Sequence, residues 1–350
     1  MTMRERLTNS LICAVVALIA GGITLTMAAP ESRGVMTAVL IIAAVAFVTV
    51  LVLKIVLSKQ KDRIKILAYA GAGVVFAVAV FSVLVYNLGN QSMYHPHVDT
   101  EETAKLAEIA EKHTFGMEVE EVKTASGLYS GWRYKATGKS ASAKRPVLLY
   151  FCGNGESASR AVLRFIEDEQ WKKIAPGCDI ICFDYPGYGK STGVPREKSM
   201  KAMALEAYKF ASDLETTSGV VVMGYSIGTG IAVYTASQAE TTPAGLILMA
   251  PYNSGYDLYN NALNIFHGPL KLLASYKMPV YKYAVKVKCP TLIIASDSDE
   301  IVPIASSKKL FSEFSSANTD FMTVEGKLHN DLPVSEKVTA RAGEFVGFVT

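Results

Sequence analysis

Three long apolar runs without a charged side chain fill most of the first ninety positions: Leu11–Ala29, Gly34–Leu53 and Ile66–Leu88. Each is close to the ~20 residues that a helix needs to cross a bilayer. A buried helix of a soluble protein seldom stays uncharged for that length, and three in succession read as an integral membrane region. The spans are placed at about 11–29, 34–57 and 66–88. Arg4 and Arg6 before the first run, and Ala28–Ala29 at its end, are also features of cleaved signal peptides. The length of that run and the two spans behind it favour an uncleaved helix.

Orientation follows from the positions of Lys and Arg in the short loops. Arg4 and Arg6 precede the first span, and Lys59, Lys61, Arg63 and Lys65 crowd the loop between the second and third. The loop between the first two spans carries only Arg33, and neither Lys nor Arg occurs from Tyr86 to Thr103. By the positive-inside rule the N-terminus is cytoplasmic and everything beyond the third span is extracytoplasmic.

Residues 91–115 read as a polar tether followed by an amphipathic helix from about Glu101, running along the membrane surface or under a sheet. His95 and His97 lie in that tether, flanking Pro96, a poor metal site. Residues 116–350 are long enough for one α/β domain with a substantial core. A hairpin (Met117–Lys123 and Gly127–Ala136) opens it. Short continuous apolar runs then alternate with helical stretches: Val147–Phe151, Ile180–Phe183, Val220–Met223, Leu246–Met249, Thr291–Ile294 and, more weakly, Phe321–Val324. Strands apolar on both faces and separated by helices form a parallel, doubly wound sheet, whose ligands bind at the carboxyl ends of the strands.

The net charge of +3 includes the basic loops of the membrane region, and nothing in the pattern suggests a nucleic-acid groove. Five cysteines are too few for a disulfide scaffold. Cys13 falls inside the first span. Cys178 and Cys182, four apart on one strand, would stand about 13 Å from each other, beyond bridging reach. Whether Cys152 pairs with Cys182 is open at this level. No cofactor motif and no metal-ligand set stands out.

Two pentapeptides fit GxSxG: Gly189–Gly193 and Gly224–Gly228. A nucleophile elbow needs a strand, a sharp turn and a helix, so that its serine is exposed at the end of a sheet. Ser226 has that context after "VVVM"; Ser191 lies between "DYPGYG" and "TGVP", which are turn material. Walker A is excluded for the latter because Asp184 stands where a glycine is required. Other strand ends supply "CGNGES", "APYNS", "SDSDEIVP" and "KLHND". A serine hydroxyl needs a base in reach, oriented by a carboxylate, and the later strand ends offer His329 with Asp297 and Asp299.

With these motifs the chain resembles the α/β-hydrolases. Within them it is similar to the membrane-tethered alpha/beta-hydrolase-domain lipases, lysophospholipases and protein depalmitoylases. The likeness runs from about Arg145 to the C-terminus. It rests on "YFCGNGES", "FDYPGYGKSTG", "MGYSIGTG", "LIIASDSDEIVP" and "LHND". It implies an α/β-hydrolase fold with a small cap at about 251–288; the three transmembrane helices that precede this fold rest on the apolar runs. It also implies Ser226 as nucleophile, His329 as general base and Asp299 as the orienting acid, with Asp297 a flanking loop residue. The oxyanion hole would be the N–H groups of Asn154 and Ile227. Cys152 stands where the family has histidine, and Ala295–Ser296 replace its His-Gly.

The function expected is a membrane-anchored serine hydrolase of lipid or acyl esters, acting at the bilayer through a Ser-His-Asp acyl-enzyme route and without a cofactor. An inactive hydrolase-fold scaffold or receptor, and a thioesterase or serine aminopeptidase-type hydrolase, are the alternatives. Dehalogenase or epoxide hydrolase chemistry would require Asp at position 226. Each site residue also has a plainer reading: Ser226 as a strand-to-helix serine, His329 as a helix cap, Asp299 as a surface turn acid. His267 in the cap either meets substrate or only packs.

The charge distribution makes one direct prediction. A reporter enzyme that folds only after export, fused behind Thr350, is expected to be active in cells, whereas a reporter that works only in the cytoplasm is expected to be silent there. The opposite pair of results would reverse the orientation.

Overall fold

Buried strands need their backbone groups paired and both faces covered, and the apolar runs meet both demands in a single sheet. The computed structural model describes residues 61–112, 118–136, 143–262, 264–315 and 318–350. The spans expected at 11–29 and 34–57, with the charged residues that flank the first, lie outside the described residues. The chain divides into two compact units, residues 1–91 with 272–275, and residues 92–271 with 276–350.

Helix α1 (Asp62–Met93) contains the third expected span. It starts before the apolar run because Asp62 in its first turn complements the positive end of the helix dipole. Its segment Asp62–Val83 has a mean hydropathy of 2.3 and is not buried within the chain. Leu67, Val75 and Phe81 are all exposed. Among the described residues this is the one helix long and apolar enough to cross a membrane.

In the second unit, α2 (Thr100–Lys112) packs beside the strand Glu118–Lys123 and the helix Ala158–Glu167, and its Leu106 is fully buried. The strands are β1 (Glu118–Lys123), β2 (Ser130–Lys135), β3 (Arg145–Phe151), β4 (Asp179–Phe183), β5 (Thr217–Tyr225), β6 (Gly245–Met249), β7 (Thr291–Ser296) and β8 (Thr319–Val324). They form one eight-stranded sheet in the order β1-β2-β4-β3-β5-β6-β7-β8. Strand β2 is antiparallel to both its neighbours, and all pairs from β4 to β8 are parallel. The connecting helices are α3 (Ala158–Glu167), α4 (Glu197–Ser212), α5 (Ile227–Gln238), α6 (Gly255–Ala262), α7 (Val280–Ala284), α8 (Ile304–Phe311) and α9 (Glu336–Val349).

Strands β3, β4, β6 and β7 have almost no exposed residue, as continuous Val, Leu and Ile runs require when helices cover both faces. Between β6 and β7, where a cap was expected, the chain forms α6, a 3-10 turn at Gly268–Leu273 and α7. Helix α7 packs against α5, and Tyr281 N–H donates to Asn253 O at 3.1 Å. That part of the insertion therefore belongs to the helix layer.

From β3 the chain moves to β4 on one side and then to β5 on the other, which makes the β3/β5 boundary the switch point of the sheet. Phe151 pairs with Gly224 there, so the turns after the two strands emerge side by side. Their closeness depends on missing side chains. A Cβ on Gly228 would lie 2.2 Å from Phe151 O and 2.5 Å from Cys152 O. On Gly230 it would lie 2.2 Å from the Tyr252 hydroxyl.

Gly228→Ala is therefore expected to cost about 3 kcal/mol or more in stability, because backbone atoms rather than a movable side chain stand in the way. Thermal unfolding of the variant measures it; an unchanged melting temperature would mean that α5 does not sit this close to β3.

Candidate active site

The site is built at the carboxyl ends of β3, β5, β7 and β8. Ser226 is the single residue between β5 and α5, and its backbone has φ 53° and ψ −122°. Positive φ on a residue with a Cβ costs of order 1–3 kcal/mol and persists only where surrounding bonds enforce it. Here Ser226 N–H donates to Met249 O at 2.9 Å, and the Thr229 hydroxyl donates to Ser226 O at 2.6 Å. Serine at this position usually caps the helix with its side chain, but the Ser226 hydroxyl makes no capping bond. It lies 2.9 Å from His329 Nε2 instead.

His329 opens a short 3-10 turn after β8 and is buried. Its Nδ1 is 2.8 Å from Asp299 Oδ2 and 3.0 Å from Oδ1. Asp299 Oδ1 also accepts the N–H groups of Ile301 (2.9 Å) and Val302 (2.7 Å), which fixes the carboxylate in the turn after β7. Asp297 does something else. Exposed, it accepts from Gly326 N–H and the Ser298 hydroxyl, and those bonds hold its carboxyl below the ordinary range. The three groups expected from the sequence thus form one buried chain of hydrogen bonds, with Asp299 rather than Asp297 at its end.

The remaining expected residues occupy the adjoining turns. Ile227 is the first residue of α5, so its N–H is one of those that a helix leaves without an intrahelical partner. Asn154 is in the turn after β3, between Gly153 and Gly155. A Cβ on Gly153 would be 3.9 Å from Ser226 Cβ, which measures how near this turn comes to the serine.

Several supporting residues are not apparent from the sequence. Tyr225 stacks on the His329 ring at 5.1 Å and donates its hydroxyl to His329 O at 3.0 Å. Glu300 accepts His329 N–H at 2.9 Å. Glu156 accepts from Gly153 N–H at 3.3 Å and from the Tyr150 hydroxyl at 3.0 Å, and pairs with Arg164 at 2.9 Å. Tyr225 and Glu300 each adjoin a site residue in the chain, but the partner of each, His329, is far away in sequence; Glu156 lies within "CGNGES" and its partners are close along the chain.

Ser191, the serine of the other pentapeptide, has a structural role. Its buried hydroxyl donates to Asp184 O at 2.8 Å and accepts from Ser130 N–H at 3.0 Å, joining the turn after β4 to the start of β2. Asp184 accepts from Ala158 N–H at the start of α3, and burial raises its carboxyl pKa despite that bond. Cys152 and Cys182 are free, buried thiols with sulfurs 3.2 Å apart. Burial pushes both thiols up and away from the nucleophilic thiolate form. His267 is exposed and contacts Asn264 Oδ1 at 2.6 Å.

The model of the alpha/beta hydrolase fold family matches residues 146–276. An uncharacterized protein of Mycobacterium tuberculosis is 29% identical over 214 residues, covering 60% of this chain and 71% of that one. The lysophosphatidylserine lipase ABHD12 of Macaca fascicularis is 26% identical over 239 residues, covering 63% of this chain. The match spans 58% of that lipase's length. Among solved structures, the Pyrococcus furiosus esterase Pf2001 superposes with a TM-score of 0.54 at 18% identity, over 68% of this chain and 93% of that one. Acetyl xylan esterase from Paenibacillus sp. R4 gives 0.52 at 16% identity, over 73% and 98%. The sheet order, the strand-end turns and these likenesses together support an assignment to the alpha/beta-hydrolase superfamily.

Proposed function

We propose that this protein is a membrane-anchored serine hydrolase of carboxylic esters, with lipid acyl esters as its substrate class. The observation that carries the proposal is the buried chain Asp299–His329–Ser226, in which the serine hydroxyl of a strained elbow faces an imidazole nitrogen at 2.9 Å. In this reading Ser226 Oγ attacks the ester carbonyl while His329 Nε2 takes its proton. Asp299 holds Nδ1–H and stabilises the imidazolium that forms. Negative charge on the carbonyl oxygen is met by the N–H groups of Ile227 and Asn154. Collapse of the intermediate breaks the bond to the alcohol, which leaves with the proton from His329. Water then attacks the acyl-enzyme with His329 as base, releasing the acid and restoring the serine.

The preference for lipid esters is supported by the apolar helix α1 ahead of the domain, by buried aromatic residues after β6 (Tyr252, Tyr259, Phe266, Tyr276), and by the lipase among the relatives. The multi-pass topology with the domain outside the cytoplasm belongs to the same reading, on the charge pattern of the loops. A hydrolase-fold scaffold without turnover would have no use for the tautomer-fixing bonds on both His329 nitrogens.

The test is labelling of the detergent-solubilised protein with a fluorophosphonate, alongside hydrolysis of a p-nitrophenyl ester. Ser226→Ala and His329→Ala are expected to lose about 10⁶-fold in kcat, and Asp299→Asn about 10⁴-fold. Ser191→Ala is expected to keep its labelling and lose about 1–3 kcal/mol of stability, since Ser130 N–H is left unpaired in a buried place. A folded wild-type protein that neither labels nor turns over esters would favour the scaffold.

A further inference from the structure

Asn154 sits between two glycines, and Gly155 has φ +73°, a conformation that few other residues adopt. Such a turn does not hold its own shape, so something outside it must aim the Asn154 N–H. One side is held by Glu156 through Gly153 N–H. The other side is held through the Asn154 carboxamide, by residues that precede the hydrolase domain in sequence.

His95 N–H donates to Asn154 Oδ1 at 3.1 Å and to the Tyr188 hydroxyl at 2.9 Å. Tyr188 in turn donates to Asn154 Oδ1 at 3.2 Å. A main-chain N–H can only donate, so the carboxamide must present its oxygen to it. Its nitrogen is then directed at His95 Nδ1, 2.8 Å away, which must accept. The clamp is itself anchored. Pro96 restricts His95 to extended backbone, Gly189 N–H donates to His97 O at 2.9 Å, and buried Asp99 accepts from the Ser157 hydroxyl at 2.5 Å and from Arg160 at 2.7 Å. His95 is exposed, so its ring contributes little to the core.

We propose that His95 and Tyr188 are positioning residues that aim the Asn154 N–H at the developing oxyanion, so that the segment between α1 and the domain belongs to the catalytic apparatus. The inference rests on the hydrolase reading above. No group in the clamp touches the substrate; it acts through the geometry of Asn154. Misplacing a catalytic donor by ~1 Å can cost on the order of 10²-fold in rate. The ground-state substrate does not need that donor at its final position, so the loss falls on kcat.

The experiment uses the full-length protein in detergent, with a p-nitrophenyl ester for kcat and KM, the rate of fluorophosphonate labelling of Ser226, and the melting temperature. Asn154→Ala keeps the N–H and removes the carboxamide; His95→Ala removes one clamp bond; Tyr188→Phe removes the hydroxyl. His95→Asn returns an acceptor close to the place of Nδ1. The expected result is a fall in kcat of roughly 10- to 100-fold for Asn154→Ala and His95→Ala, with KM within about 2-fold, slower labelling, and recovery of most of the rate in His95→Asn. Unchanged kcat in the three loss variants beside an active wild type would overturn the clamp and leave the hydrolase reading intact. So would losses that track the melting temperature without recovery in His95→Asn. An inert, folded wild type would sink the hydrolase reading and the clamp with it.

Discussion

The reversal of the chain at Ser226 is the constraint on which the rest of the site depends. A strand buried on both faces ends at Tyr225 and a helix begins at Ile227, leaving one residue to make the turn. That residue takes a positive φ despite its Cβ, and the bond from its N–H to Met249 O helps offset the strain. The helix can start so near the sheet only because Gly228 and Gly230 bring no side chain against Phe151, Cys152 and Tyr252. The same geometry puts the free amide of Ile227 beside the turn after β3. Strain at one residue and close packing at two glycines are parts of one arrangement.

Polar groups around this reversal are satisfied in a way that fixes directions as well as energies. Asp299 has its carboxylate tied by two main-chain N–H groups, so that it faces His329. His329 is held through both ring nitrogens, through its N–H by Glu300, and through its carbonyl and ring face by Tyr225. Buried polar groups of this kind hold one conformation because a partly satisfied alternative leaves a donor or acceptor stranded. The thiols of Cys152 and Cys182 lie on the far side of this logic, buried and raised in pKa, filling space next to the turn.

The order of elements was legible because it follows from short-range chemistry. All six apolar runs after the hairpin are strands, and α2 begins within a residue of the position where its periodicity starts. Of the two GxSxG pentapeptides, the one around Ser226 lies in a strand-turn-helix reversal, and turn residues on both sides of Ser191 place it in a loop that clips β2 to the end of β4. The contributions of Glu300 and Tyr225 were not legible, since each depends on His329, which only the fold brings near. His95 and His97 read from the sequence as members of a polar tether. Their contacts with Asn154 and Gly189 required the turns after β3 and β4 to be placed side by side.

What the sequence determined by itself is the apolar character of the segment ahead of the domain, the parallel sheet, and the residue types available at the ends of its strands. Those properties arise from hydrophobic patterning and turn chemistry within a few residues. What only the tertiary structure decided is which groups meet: Tyr225 and Glu300 on His329, Cys152 beside Cys182 as free thiols, and His95 on Asn154. Contacts between residues 30 to 103 apart depend on sheet order and on crossings between strands, and no local pattern encodes the few tenths of an ångström that separate a hydrogen bond from a near miss.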